Sequence, residues 1–306
     1  MRILILGGTS LTGPIVVRRL VGLGHDVTVY HRGEHETELP AAVRHLHGDF
    51  LHLPPEVRHP APDVVVHMWA ATEADAHAFL DAFGGVAARA VAISSGDVYR
   101  AYGRAQRLES GAPGPIPLSE DAPLRESRYP YQTAYDKVLV ERTLAVASEL
   151  PVTILRFPAI YGPNDGHRMR RWLEPMLRGV AELRLQEDFA LWRWTHGFSE
   201  DVAESVVLAA TSACAAGRVY NVGEPEAPTI AERLAAFARV SGWRGSVRAV
   251  PAIELPEPDR MPQDFSHHLV YDTTRIRAEL GYRELVPYDQ GLARTLEWER
   301  AASGVQ

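Results

Sequence analysis

The chain has 306 residues, 46% hydrophobic and 23% charged, enough for one α/β domain with an appended lobe or for two domains. A formal charge of −7 argues against non-specific nucleic-acid binding, and no apolar run reaches the roughly 18 residues that cross a membrane. The single cysteine, Cys214, excludes an internal disulfide and fits a reducing cytoplasm, where the absence of room for a secretory signal before Ile3 also puts the chain.

Ile3-Leu4-Ile5-Leu6 reads as a buried parallel strand. Gly7-Gly8-Thr9-Ser10-Leu11-Thr12-Gly13 follows, and then Ile15, Val16, Leu20 and Leu23 recur at helical spacing, with Pro14 at a first-turn position that tolerates it. Strand, glycine turn and helix aim free N–H groups at one point, where the helix dipole favours an anion. Gly7, Thr9, Ser10, Leu11, Thr12 and Gly13 are therefore candidates to cradle a dinucleotide pyrophosphate. Gly8 and Gly13 also fit the spacing of a triphosphate P-loop, but Pro14 and Ile15 stand where that motif needs Lys and Ser or Thr.

Val27 to Tyr30 is the second strand, ending at His31-Arg32-Gly33. In a dinucleotide fold an acid at this point binds the ribose 2′-hydroxyl and an Arg accepts a 2′-phosphate. The acid is missing and Arg32 is present, which favours NADP over NAD, with His31 beside it. Leu46 to Asp49 ends a third strand, with Asp49 near the adenine. Asp63 to Met68 is a fourth strand, and Met68 and Ala70 at its end are further cofactor candidates. A helix runs from about Glu73 to Phe83, and Ala90 to Ile93 is a fifth strand. This alternation predicts a doubly wound parallel sheet with its ligand across the carboxyl ends of the strands.

The fifth strand delivers Ser94-Ser95-Gly96-Asp97-Val98-Tyr99. Together with Lys137 and Glu141, Leu155-Arg156 before Tyr161-Gly162-Pro163, the stretch from His196 to Val202, and Tyr220-Asn221-Val222-Gly223, it resembles the extended and atypical short-chain dehydrogenase/reductases of the NAD-dependent epimerase/dehydratase group. The resemblance covers nearly the whole chain. It implies a Rossmann-type domain over residues 1–165, to which segments after 190 return, and a small C-terminal α/β substrate lobe over 166–306. It implies that Ser95 hydrogen-bonds a substrate oxygen, and that Asp97 lies where sugar-nucleotide dehydratases carry an acid. An exposed Asp after Gly is also an ordinary turn residue.

In that family Tyr-x-x-x-Lys lies on one helical face, the lysine holding the nicotinamide ribose and lowering the tyrosine pKa. Here Thr133 stands in the tyrosine position, and Thr133, Lys137 and Glu141 share a face. Tyr135 falls on the wrong face of a regular helix, whereas Tyr131 and Tyr129 reach the site if the helix begins late. Either Asp97 or Tyr131 takes the proton role, or hydride transfer runs with a relayed proton, or catalysis has been lost.

Further implied positions are Phe157, Ala159 and Ile160 beneath the nicotinamide, and Tyr99, Asn164, Arg193 and His196 at the substrate. Arg193 is spaced about one residue further from Asp201 than the family's diphosphate-binding Arg. The Pro- and Gly-rich segment from Arg104 to Pro130 reads as a flap over the substrate. His45-Leu46-His47 and His267-His268 have ligand-like spacing, but no acid or cysteine in sequence completes a zinc set, so no metal is expected. The expectation is an NAD(P)-dependent oxidoreductase, epimerase or dehydratase on a small polar carbonyl or hydroxyl compound, a sugar nucleotide among them, with a homodimer as one assembly. The alternative is a catalytically silent NAD(P)-binding sensor or interaction protein on the same fold.

Overall fold

The computed structural model of the protein describes residues 1–128 and 135–304. Strands β1 (Arg2–Leu6), β2 (Asp26–His31), β3 (Arg44–His47), β4 (Val64–His67), β5 (Arg89–Ser95) and β6 (Val152–Phe157) follow one another along the chain. β7 (Ala159–Tyr161) pairs with β9 (His196–Phe198), β8 (Glu182–Gln186) pairs with β11 (Ser246–Val250), and β10 (Val219–Asn221) returns to the large sheet. That sheet has seven strands in the order β10-β6-β5-β4-β1-β2-β3, every pairing parallel. The winding direction reverses between β1 and β4, and ligands of such sheets sit at this switch point.

The two-residue period of a strand sorts β1 by face. Ile3 and Ile5 pack under the helices Gly13–Gly22, Ser199–Thr211 and Thr274–Leu280, while Leu4 and Leu6 face Glu73–Phe83 and Lys137–Ala145. A third core lies among the helices Arg170–Leu177, Ile230–Ser241 and Tyr288–Ser303 and the β8/β11 pair, away from the sheet.

The helix Ser199–Thr211 has no side-chain cap. Asp201 instead accepts the backbone N–H groups of Leu285 and Val286 at 2.8 and 3.1 Å, tying the C-terminal segment to the sheet. The segment after Arg104, expected as a flap, is anchored at Leu118 and Arg125, while residues 110–117 are exposed and Ile116 and Pro117 border a cavity shared with Arg193. Leu118 N–H donates to Val270 O at 2.6 Å, Asp272 N–H donates to Leu118 O at 2.8 Å, and the Arg125 side chain is fully buried with its Nε on Asp97 O.

Candidate active site

The first part of the site is the turn between β1 and its helix. Gly7 and Gly8 hold φ of +89° and +95°, and Leu11 holds +50°, a conformation that costs a residue with a Cβ. Turns of this kind can present successive amides as a concave anion nest; here the Gly7 and Gly13 N–H groups are engaged by Tyr30 O and Ser10 O at 2.8 and 2.9 Å. A Cβ on Gly13 would come within 2.5 Å of the Gly8 Cα, so only glycine lets the helix start this close to the strand. Ser10, at the middle position of the Gly-x-Gly-x-x-Gly fingerprint counted from Gly8, is exposed and puts a side chain where the fingerprint asks for bare backbone. Thr9, Ser10 and Leu11 line a cavity of about 470 Å³ with Asn164, Ser199, Glu200 and Arg294. Thr12 is buried at the helix cap. Asn164, expected at the substrate, borders this same cavity beside the glycine turn.

The strand ends carry the remaining cofactor candidates. Met68 continues β4, its N–H on Leu6 O at 2.9 Å, and packs against Gly7. Trp69 is 51% exposed at the same edge, a large aromatic that the sequence reading passed over. Arg32 is exposed and paired with Glu34 at 2.9 Å, and Asp49 is exposed and caps Leu51 N–H. Phe157, Ala159 and Ile160 are buried.

The second part lies at the end of β5. Ser95 Oγ accepts Asp97 N–H at 3.3 Å. Asp97 is buried, not the exposed turn residue its neighbours in sequence allow, and burial pushes its carboxyl pKa up. Among the described residues its Oδ1 has no hydrogen-bond partner, and its Oδ2 accepts the Tyr135 hydroxyl at 2.8 Å. Tyr135, on the wrong face of a regular helix, reaches Asp97 for a local reason. Asp136 caps the helix by accepting Val138 N–H at 3.2 Å, so the helix begins at Lys137 and Tyr135 stands outside its register. Thr133 and Tyr131 lie outside the described residues.

Lys137 is buried, and its Nζ donates to Ala70 O and Ile93 O at 2.5 and 2.9 Å. It also lies 5.6 Å from the centre of the Tyr135 ring. Desolvation lowers its pKa from 10.5 to about 8, against the opposing pull of Asp97, Asp75 and Glu141. The ammonium expected on a nicotinamide ribose is thus held between two strand ends by main-chain oxygens.

Beneath the site runs a buried polar chain. Ser94 Oγ donates to Glu141 at 2.5 Å, Arg156 meets Glu141 at 2.7 Å and the Tyr99 hydroxyl at 3.0 Å, and Tyr99 donates to Asn221 Oδ1 at 2.6 Å. Tyr99 is therefore a fully buried strut and not a substrate contact, with its pKa pushed up to about 12 by burial. His196 is corrected likewise. It is 1% exposed, its Nδ1 is on Trp194 O at 2.7 Å, and burial drives its pKa far down, so it stays neutral in the core. Arg193 holds Ala227 O through Nε at 2.8 Å and lines a cavity of about 800 Å³ with Glu226, Tyr271 and Arg277. The tertiary fold also supplies the acid missing beside the histidines, since Glu36 meets His47 at 3.1 Å.

Residues 3–223 match the NAD dependent epimerase/dehydratase family, and the chain belongs to that family of enzymes. The dTDP-glucose 4,6-dehydratase of Streptomyces niveus is 39% identical over 88 residues, 28% of this chain and 23% of that protein. Longer curated matches span no more than 62% of the relative's length. Among solved structures, the Thermus thermophilus UDP-glucose 4-epimerase in complex with NAD superposes with a TM-score of 0.72 at 23% identity, covering 99% of this chain and 100% of that one. The Bacillus cereus UDP-glucuronic acid 4-epimerase, solved with UDP-glucuronic acid and NAD, gives 0.74 at 20% identity, covering 99% and 100%.

Proposed function

We propose that this protein is an NAD(P)-dependent epimerase or dehydratase acting on a sugar nucleotide, with Tyr135 and Asp97 as its proton-handling pair. Residues up to about 165 form the dinucleotide-binding part, and the later chain forms most of the substrate lobe. The nest at Gly7 to Gly13 fits a pyrophosphate, as the strained Leu11 and the contact that forces glycine at 13 both indicate. The dinucleotide, when bound, accepts or returns a hydride. Arg32 is the residue that meets a 2′-phosphate. Its ion pair with Glu34 is exposed and easily exchanged, so NADP binding is compatible with it.

The Tyr135–Asp97 contact of 2.8 Å carries the reading. A substrate hydroxyl within reach of the Tyr135 oxygen passes its proton to that oxygen as the phenolic proton moves to Asp97 Oδ2. The raised pKa of Asp97 makes it the better base. The Lys137 charge beside the ring stabilises negative character on the phenolic oxygen, and the Ser95 O–H donates to the reacting oxygen.

The test is turnover of UDP-glucose, UDP-glucuronic acid and dTDP-glucose with added NAD or NADP. Net redox change separates a dehydrogenase from an epimerase or dehydratase. Tyr135→Phe is expected to lower kcat by roughly 10²- to 10⁴-fold, the span of a lost general acid–base group, with dinucleotide affinity unchanged. Equal turnover in Tyr135→Phe refutes the assignment. Binding of a dinucleotide without turnover of any substrate supports the silent sensor, a reading favoured by the engagement of Lys137 with main-chain carbonyls.

A further inference from the structure

The carboxyl ends of β2 and β3 carry three histidines on one face of the sheet. Register sets His31 opposite His47 and Val29 opposite His45, and the two-residue alternation turns all three imidazoles the same way. His31 is 2% exposed, His45 is half-buried, and the chain between the two strands brings Glu36 back over them. One ligand atom from each of His31, Glu36 and His45 lies within 4.8 Å of the others. We propose that His31 Nε2, His45 Nδ1 and the Glu36 carboxylate form a binding site for a zinc-class divalent metal ion, with His47 positioning the carboxylate.

The distances fit a bound metal as well as the hydrogen bond that the two imidazoles share without one. His31 Nε2 and His45 Nδ1 are 3.3 Å apart. That separation is also the edge of a tetrahedron whose metal–nitrogen bonds are about 2.05 Å, which works out at about 3.3 Å. Two imidazoles and a carboxylate are a zinc donor set, and three protein ligands leave a fourth position for water or another ligand oxygen. His47 Nε2 stands 3.1 Å from Glu36 Oε1 and its ring packs on His31 with centroids 4.4 Å apart, so it orients one ligand while touching another.

The proton inventory makes a specific demand. Gly33 N–H donates to His31 Nδ1 at 3.2 Å, so in the metal-free protein the His31 proton is on Nε2 and points at His45. When the metal takes Nε2, that proton moves to Nδ1 and the Gly33 amide lets go. Gly33 is exposed, with φ of +79°. The bound ion thereby clamps the loop between β2 and β3 onto the sheet edge. Glu36 also lines the cavity above the glycine turn, so one side chain borders both sites.

The experiment uses the full chain, stripped with chelator and then equilibrated with Zn²⁺ or Co²⁺ alone. Wild type is expected to retain one equivalent of Zn²⁺, to give the intense visible spectrum of tetrahedral Co²⁺, and to shift the Gly33 amide resonance. His45→Ala and Glu36→Gln, each removing a ligand, are expected to lose stoichiometric retention, and His47→Ala to weaken binding roughly 10- to 100-fold, the usual effect of altering an outer partner. His268→Ala, at the other histidine pair, is expected to match wild type. The proposal is overturned if wild type retains no metal, if His45→Ala retains a full equivalent, or if Co²⁺ gives only a weak octahedral spectrum. Should His45→Ala fail to fold, the wild-type Co²⁺ spectrum and the Gly33 shift decide the matter by themselves.

Discussion

Lys137→Met separates the electrostatic cost of Lys137 from its hydrogen bonds. Desolvation lowers its pKa from 10.5 to about 8, so keeping the ammonium charged in the fold costs about 3 kcal/mol. The sign follows from proton counting. Between pH 8 and 10.5 the unfolded chain holds a proton that the folded chain has released, so stability rises with pH through that window and is flat below it. The rise from this group approaches about 1.4 kcal/mol per pH unit at its steepest and about 3 kcal/mol in total. Lys137→Met keeps the apolar stem, removes the charge, and strands the carbonyls of Ala70 and Ile93. At about 1–3 kcal/mol for each stranded acceptor, the loss at pH 7 is about 2–6 kcal/mol against a gain of about 3, so the net effect lies between about 1 kcal/mol of stabilisation and about 3 kcal/mol of destabilisation. The diagnostic is therefore the slope. Urea denaturation of both proteins at intervals from pH 7 to 10.5 should give a rise in wild type that is flattened in Lys137→Met. An equal rise in the two proteins means Lys137 is not desolvated and refutes the reasoning.

Three other outcomes are expected. Gly13→Ala drives a methyl into the Gly8 backbone at 2.5 Å, and overpacking of this kind costs about 1–3 kcal/mol. Calorimetry should show dinucleotide binding lost while circular dichroism shows a folded protein. Glu141→Ala leaves the Arg156 guanidinium buried without its carboxylate, a loss of about 3–5 kcal/mol that denaturant titration reads, and a loss under about 1 kcal/mol means water reaches the pair. Arg32→Ala should weaken NADP binding and leave NAD binding unchanged; parallel losses for both mean Arg32 does not read the 2′-phosphate.

The sequence by itself determined the elements whose cause is local. Apolar runs became β1 and β4 because a parallel strand is buried on both faces. Thr72 and Asp75 close the helix start with a reciprocal pair of bonds spanning three residues, and the glycine turn was legible because its conformation is written in consecutive residues. Tertiary structure decided what depends on distant residues meeting. Tyr135 reaches Asp97 across 38 positions, and no helical period applied to it once Asp136 set the helix start. Tyr99 and His196 carry polar atoms that fit a substrate site equally well, and only the packing of β6, β9 and β10 showed those atoms consumed inside the core. Glu36 joined the histidines because register fixes three rings on one sheet edge and the intervening loop folds back, a coincidence in space that spacing along the chain does not encode.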